Sequence, residues 1–442
     1  MTSSTFIDLR INNAEQFKES VSEPSPNTKL FLVFGKTDAW ANEASPNISN
    51  SSISTVYEIW DNMIGGKRIL GGDISHVIPR IDWTSNTVYD AYDDKRSDLF
   101  DANTKFYAMN SDYSVYKCIA NNHGKPSTTQ PTSVNPEIIS TTADGYSWKY
   151  MYTISDSEKL RFTTSQYIPV RTLTVDNGSL QWQVQNTAIS GSIDSIIVTN
   201  GGANYTNVSN ITISISGDGT SATAIPTLNT MTNTISSIIM TERGSGYTFA
   251  TVTITDIGSG SGANARAIIS PPGGHGSDPL YELGGKNILI DTKIRYDEEG
   301  VLPATNDYRQ IAILKDPYVN LTTNVASNIA FVQGITLTCD GIGNYIEDEF
   351  VYQGSTFENA TFKGKVVSWS PLTNKILVIN TTGKPTLSQS LVGTTSFVTR
   401  VVTNKTEGLL KKYSGRLLYV DNIKSVTRSN DQIEDFQILI KF

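Results

Sequence analysis

Hydrophobic positions along this chain fall mostly in short runs and alternations, and long helical stripes are scarce. Residues 30–34 (LFLVF) form a continuous apolar run closed by Gly35, the pattern of a strand covered on both faces. Shorter strand-like stretches recur at 76–81, 105–109, 115–119, 148–154 and 308–316, with turn-rich loops between them, notably 121–136. Two segments read as helices. Asn13 can cap a short one over 14–21, with Gln16 where a capping box wants Glu or Gln. The stronger signal is Val56, Ile59, Trp60, Met63 and Ile64 on one face at 3.6 spacing. Thr55 and Glu58 suit a capping box there, and Gly65-Gly66 is the expected stop.

A repeat begins where the composition changes. Ile193-Asp194-Ser195-Ile196-Ile197-Val198-Thr199 followed by Gly201-Gly202-Ala203-Asn204-Tyr205-Thr206 returns as Ile235-Ser236-Ser237-Ile238-Ile239-Met240-Thr241 followed by Arg243-Gly244-Ser245-Gly246-Tyr247-Thr248. Each copy continues in period-two alternation (211–215, 252–255) and ends in a Gly/Ala-rich stretch (217–224, 258–265). Alternating Ile, Val and Thr predict strands, and two copies can bury faces that neither buries alone. Further on, 346–353, 363–369, 375–380 and 396–402, punctuated by Gly354, Pro371, Gly383 and Gly393, predict a small barrel or sandwich. Residues 415–420 and 432–442 alternate like two last strands that fold back onto the first part.

The expected fold is mainly β with a few short helices. A discontinuous, β-sandwich-like body is drawn from 1–171, 271–325 and 406–442. It carries two inserted small β modules, the duplicated repeat at 172–270 and the barrel or sandwich at 326–405.

Composition narrows the function. The 442 residues hold 43 Asp and Glu against 35 Lys and Arg, a net charge of −8, with no long basic run. Nucleic acid is therefore not expected as the main partner, because neutralising phosphates needs clustered cations. Three His and two Cys cannot build a zinc finger or an iron–sulfur cage, and no metal or cofactor is expected. Cys118 and Cys339 read as reduced, buried thiols rather than a disulfide. The start, MTSSTFIDLRINN, lacks a basic region followed by an apolar stretch, and no apolar run approaches the ~20 residues of a membrane span. A soluble protein made in a cytoplasm is expected. The Asn-x-Ser/Thr triplets at Asn47, Asn207, Asn210 and Asn380 then reflect composition rather than glycosylation.

Catalytic motifs are hard to find. Gly217-x-Gly219-x-x-Ala222 and Gly258-x-Gly260-x-x-Ala263 match a dinucleotide fingerprint as strings. Thr223-Ala224-Ile225-Pro226, however, does not open the helix that the motif needs, so both read as turns of the repeat. No Gly-x-x-x-x-Gly-Lys-Ser/Thr loop occurs, and Gly145-Tyr146-Ser147 runs into Trp148-Lys149 rather than a nucleophile elbow. His275 lies beside Ser277 and Asp278, but three groups so close on a glycine-rich backbone rarely align as a triad, and a structural loop is expected. His76 reads as a packed core histidine and His123 as a loop residue. The acidic run Asp90, Asp93, Asp94, Asp98 and Asp101 lacks the spacing of a calcium loop and reads as a solvated loop. Tyr107, Tyr113 and Tyr116, with Trp83, Tyr89 and Tyr92 upstream, fit ordinary strand packing or an exposed platform for sugar rings. No catalytic residue is assigned.

Several phrases occur in a shared order: Phe34-Gly35-Lys36-Thr37 with Trp40; Val77-Ile78-Pro79-Arg80-Ile81-Asp82-Trp83; Asp144-Gly145-Tyr146-Ser147-Trp148-Lys149-Tyr150; Tyr167-Ile168-Pro169-Val170; Tyr308-Arg309-Gln310-Ile311-Ala312-Ile313; and 433–442. This series resembles the gene 8 baseplate wedge subunits of T-even-like contractile-tailed bacteriophages, over roughly 25–170, 285–320 and the last thirty residues. The resemblance implies a non-enzymatic, largely β structural protein of the virion tail baseplate, assembled in the host cytoplasm. It also implies a homodimer that joins other baseplate wedge proteins around the tail tube. The Gly-Tyr-Thr repeat and the 329–402 segment look like insertions relative to that family, so no interface residues are carried over. Two rival readings are a carbohydrate-binding tail component that contacts a host-surface glycan through the inserts, and a polysaccharide-degrading tail enzyme.

Overall fold

The computed structural model describes residues 6–24, 27–295, 298, 301–302, 306–429 and 431–442. The protein is mainly β, its sheets built from antiparallel ladders. Two compact units are present, one of Met1–Gln16, Ser75–Leu289 and Leu439–Phe442, the other of Phe17–Ile74 and Ile290–Ile438.

In the first unit a four-stranded sheet runs Tyr107–Met109, Ser114–Asn121, Tyr146–Thr153, Ile139–Thr141. Both of its faces are covered. Tyr116, Cys118, Trp148 and Tyr150 pack with Tyr89 and Val184, while Val115 and Met151 join Ile11, Phe106, Leu280 and Leu283. The helix Ile7–Ser22 starts well before Asn13, which is exposed in its middle. The reason is the stripe Ile7, Ile11, Ala14, which extends the buried face toward the amino terminus. Two further helices, Asp156–Phe162 and Leu180–Asn186, carry Ser155 and Ser179 caps, the first with a full Ser155/Glu158 capping box. At seven residues each they are too short for periodicity to reveal.

The repeat folds within this unit as a two-stranded sheet, Ile211–Gly217 with Ala250–Asp256, and a four-stranded sheet ordered Thr220–Asn229, Thr234–Ser245, Ile193–Ala203, Ser261–Ile269. Each sheet contains strands of both copies. Their shared core is Ile193, Ile196, Ile211, Ile235 and Ile238 with Tyr205 and Tyr247, so neither copy has a core of its own.

In the second unit Leu30–Gly35, buried along its whole length, lies in the middle of a five-stranded sheet ordered Ala330–Val332, Met63–Ile69, Leu30–Gly35, Asp307–Lys315, Arg416–Thr427. Pairings such as Leu32↔Ile313 and Ile313↔Tyr419 join distant parts of the chain. The helix Ile53–Asn62 packs Ile59 and Trp60 against Phe31, Val33 and Phe331. Its cap is Ser52, whose hydroxyl accepts from the Thr55 N–H, and Met63 is already extended. The expected Thr55/Glu58 box is therefore displaced by one turn. Gly65 and Gly66 do not stop the helix but lie inside the strand Met63–Ile69. Glycine is needed there for close approach: a Cβ on Gly66 would stand 2.7 Å from the Leu32 carbonyl oxygen and 2.9 Å from the Phe331 ring.

Six strands of the second unit close into a barrel: Ile335–Asp340, Lys375–Gly383, Phe362–Ser370, Phe350–Gln353, Ser390–Gly393 and Thr399–Thr406. Closure follows because Ile335–Asp340 pairs with both Lys375–Gly383 and Thr399–Thr406, which removes every sheet edge. Its interior holds Leu337, Val351, Phe362, Val366, Ile376, Val378, Leu391 and Val402. Of the expected strand 346–353 only Phe350–Gln353 pairs, because Ile346 to Glu349 form a turn in which the Glu349 carboxylate accepts the Ile346 N–H. Cys118 and Cys339 are free and buried.

Candidate functional site

A cluster of buried charged groups in the first unit lies where its four-stranded sheet, the repeat strands and the loop 273–278 converge. Lys117 and Lys149 are direct cross-strand partners. Two like charges opposite one another on a covered face are unfavourable unless an anion joins them. Glu282 is that anion: Lys117 Nζ donates to its Oε2 at 2.8 Å, the two side chains being 1% and 4% exposed. Glu282 ends the one-turn helix Pro279–Glu282, which Asp278 caps by accepting from the Tyr281 N–H. Its Oε1 accepts the Gly276 N–H at 2.7 Å and the Asp278 N–H at 3.2 Å. Burial works to raise the Glu282 pKa, but the charge of Lys117 and contacts with His275 and Lys117 outweigh it and bring it down to about 2.

His275 sits edge-on to the Tyr92 ring with centroids 4.7 Å apart. Its Nε2 is 3.3 Å from Asp194 Oδ2 and its Nδ1 is 3.8 Å from Glu282 Oε2, yet neither nitrogen has a hydrogen bond of good geometry. Burial, then the charge of Lys117, lower its pKa despite the two carboxylates, so the ring is neutral near pH 7. Tyr92 also covers Lys117, whose Nζ stands 4.3 Å from the ring centroid. From the repeat strands, Asp194 accepts from Ser192 Oγ and faces Arg243 Nε at 3.4 Å. Lys149 donates to the Pro136 carbonyl at 2.7 Å, and burial followed by the charge of Arg243 brings its pKa down to about 8.

The residues that the sequence suggested take other places. Ser277 donates to the Gly274 carbonyl and Asp278 caps its helix, so neither is aligned with His275. His76 Nδ1 lies 3.0 Å from the Gly285 carbonyl oxygen, and His123 occupies a short turn at φ +58°. The acidic run is not simply solvated, which corrects the expectation. Asp93 and Asp94 hold the two ends of the Arg266 guanidinium, at 2.5 and 3.0 Å, and Arg96 bridges Asp90 and Asp98. The aromatics do not form an exposed platform: Tyr89, Tyr107 and Tyr116 are buried and Trp83, Tyr92 and Tyr113 half-buried. Among the described residues no three His, Cys, Asp or Glu converge to hold a metal ion, and no helix is long and apolar enough to cross a membrane.

The fingerprint-like glycines have a structural explanation. A Cβ on Gly219 would overlap the Tyr247 ring, and one on Gly260 would overlap the Tyr205 ring. The Ala222 N–H donates to Tyr247 Oη and the Ala263 N–H to Tyr205 Oη, both at 3.4 Å. The second glycine and the alanine of each string thus make the seat of a tyrosine from the repeat. Lys117, Lys149, Asp194, Arg243 and Glu282 were not singled out from the sequence. The available signal was a lysine flanked by apolar or aromatic residues in the middle of each of two strands, which calls for a buried anion from elsewhere.

Comparison with known proteins returns the family described as Bacteriophage T4, Gp8, matched over residues 3–135. The baseplate wedge protein gp8 of Enterobacteria phage T4 is 25% identical over 182 residues, covering 34% of this chain and 54% of that protein. The chain therefore spans about half the length of the curated relative it matches. The phrases around Phe34 and Val77 lie inside the matched region, and those from Asp144 onward lie beyond the family match. The chain resembles the Gp8 baseplate wedge proteins, as its ordered phrases indicated, and the family match itself lies in its first third.

Proposed function

We propose that this protein is a structural component of a phage tail baseplate wedge that works through protein contacts rather than catalysis. The observation that carries the reading is the match of residues 3–135 to the Gp8 family, together with the T4 wedge protein as a relative. The charged cluster is consistent with it. Lys117, Lys149, Asp194 and Glu282 are committed to one another, to Arg243 and to backbone, as in a joint that fixes the repeat strands on the sheet. In this reading the chain dimerises and joins neighbouring wedge proteins around the tail tube, in the virion tail, after assembly in the host cytoplasm. Segments 172–270 and 326–405 are modules inserted into the body. A carbohydrate-binding role through the inserts is the alternative, and the burial of Tyr89, Tyr107 and Tyr116 gives it no exposed aromatic platform from those three residues.

The test is light scattering on the purified chain, followed by labelling assembled tails with an antibody to it. A dimer at micromolar concentration and label at the baseplate are expected. A strict monomer would contradict the dimer, and label elsewhere would contradict the placement.

A further inference from the structure

The first unit contains a cleft of about 590 Å³, distinct from the charged joint. Its walls come from the helix Ile7–Ser22, the end of strand Ile74–Pro79, residues 99–107, residues 283–287 and the last two residues. Five basic side chains line it: Arg10, Arg80, Lys105, Lys286 and Lys441. Two carboxylate side chains, Asp82 and Asp101, face them. On a chain of net charge −8 this is a local reversal of sign.

One pair of these charges is internally satisfied. Arg80 is already held, its Nε lying 3.0 Å from both Asp82 oxygens and its Nη1 donating to the Thr164 carbonyl. That leaves Arg10, Lys105, Lys286 and Lys441 facing Asp101 and the main-chain carboxylate of Phe442, four cations against two anions. Lys286 is half-buried, and burial and then the charge of Arg10 lower its pKa, with Asp101 compensating only in part. Cations crowded into a partly desolvated cleft raise the local potential and favour an anionic occupant. Phe100, Tyr107 and Tyr167 supply apolar wall between the charges, and Tyr107 is fixed by donating to the Pro79 carbonyl at 2.6 Å.

We infer that this cleft docks a short acidic segment of a partner protein, its carboxylates meeting Arg10, Lys105, Lys286 and Lys441 and its backbone or apolar atoms lying on the aromatic wall. The volume exceeds what a single inorganic anion fills and lies in the range of pockets that bury several side chains. The net charge of −8 on the whole chain opposes approach of a long polyphosphate backbone, while the local cluster of cations admits a few carboxylates. The inference goes beyond the wedge reading, and its binding test leaves that reading standing if it fails.

The experiment measures fluorescence anisotropy of a labelled Glu-Gly repeat peptide with the full chain, against a Gln-Gly peptide of the same length. Binding of the Glu peptide alone, weakening as ionic strength rises to about 0.15 M, is expected. Charge reversal at the exposed positions, Arg10→Glu with Lys105→Glu, should weaken it at least about tenfold while the circular dichroism stays unchanged. Carbodiimide coupling of the bound peptide should map to Lys105, Lys286 or Lys441. Equal binding of the Gln peptide, undiminished binding by the reversed variant, or couplings only elsewhere would overturn the inference. So would tighter binding of inorganic phosphate or a single-stranded oligonucleotide than of the Glu peptide.

Discussion

Lys117 and Glu282 form an ion pair of 2.8 Å that is almost wholly shielded from water, and Lys117 stands directly opposite Lys149 on the neighbouring strand. The arrangement explains how two lysines occupy the middle of a sheet whose faces are largely apolar and aromatic. Glu282 neutralises Lys117, two backbone N–H groups hold the carboxylate in place, and Lys149 reaches the Pro136 carbonyl.

Removing one partner leaves a buried charge uncompensated. Glu282→Gln or Lys117→Met should each destabilise the first unit by about 3–5 kcal/mol, whereas the double replacement Lys117→Met with Glu282→Leu should recover most of the loss. Hydrogen exchange read on the peptides of Ser114–Asn121 and Tyr146–Thr153 measures this directly. Additive losses in the double variant would show that the two side chains act independently.

The lowered pKa of His275 makes stability depend on pH in a defined direction. As pH falls through about 6.5, the unfolded chain takes up a proton that the folded chain resists, so this contribution is lost downward from there. Glu282 adds a second window. Its folded pKa of about 2 lies below the ordinary value of 4.5, so its contribution is present above 4.5 and fades as pH falls toward 2. Denaturation midpoints between about pH 7.5 and 5.5 should decline in the parent and flatten in His275→Gln. An identical decline in the variant would assign the upper window to other groups.

The seats of Tyr205 and Tyr247 give a matched pair of tests. Gly260→Ala and Gly219→Ala each force a methyl group into a tyrosine ring and should cost about 1–3 kcal/mol by overpacking. Gly72→Ala, where an added Cβ meets nothing within 4 Å, should fall within about 0.5 kcal/mol of the parent. If the two copies are equivalent, the two costly variants should shift the melting temperature alike; a neutral Gly219→Ala would mean that only one seat is tightly packed.

Much of the architecture was legible because strands announce themselves by short-range pattern. Residues 30–34 and 308–316 became neighbouring strands of one sheet, and the repeat at 193–265 became two interlocked sheets. What failed were boundaries decided by tertiary contact. Gly65-Gly66 read as a helix stop, yet the ring of Phe331, more than 260 positions away, makes them strand residues. The strands Ile335–Asp340 and Ser390–Gly393 went unread because half of their residues are polar or small and the barrel supplies their pairing. The charged joint was invisible for a different reason. Lys117 and Asp194 lie far in sequence from each other and from His275 and Glu282, and only the fold brings them together.

The central claim is that this chain is a baseplate wedge component. An electron cryomicroscopy map of the assembled tail, with the chain fitted into it, tests that most directly. The expected result is density for the chain in the wedges around the tail tube, in repeated copies and in contact with neighbouring wedge proteins. Density that places it in the tail tube, the sheath or a fibre tip, or an intact baseplate that lacks it, would contradict the claim.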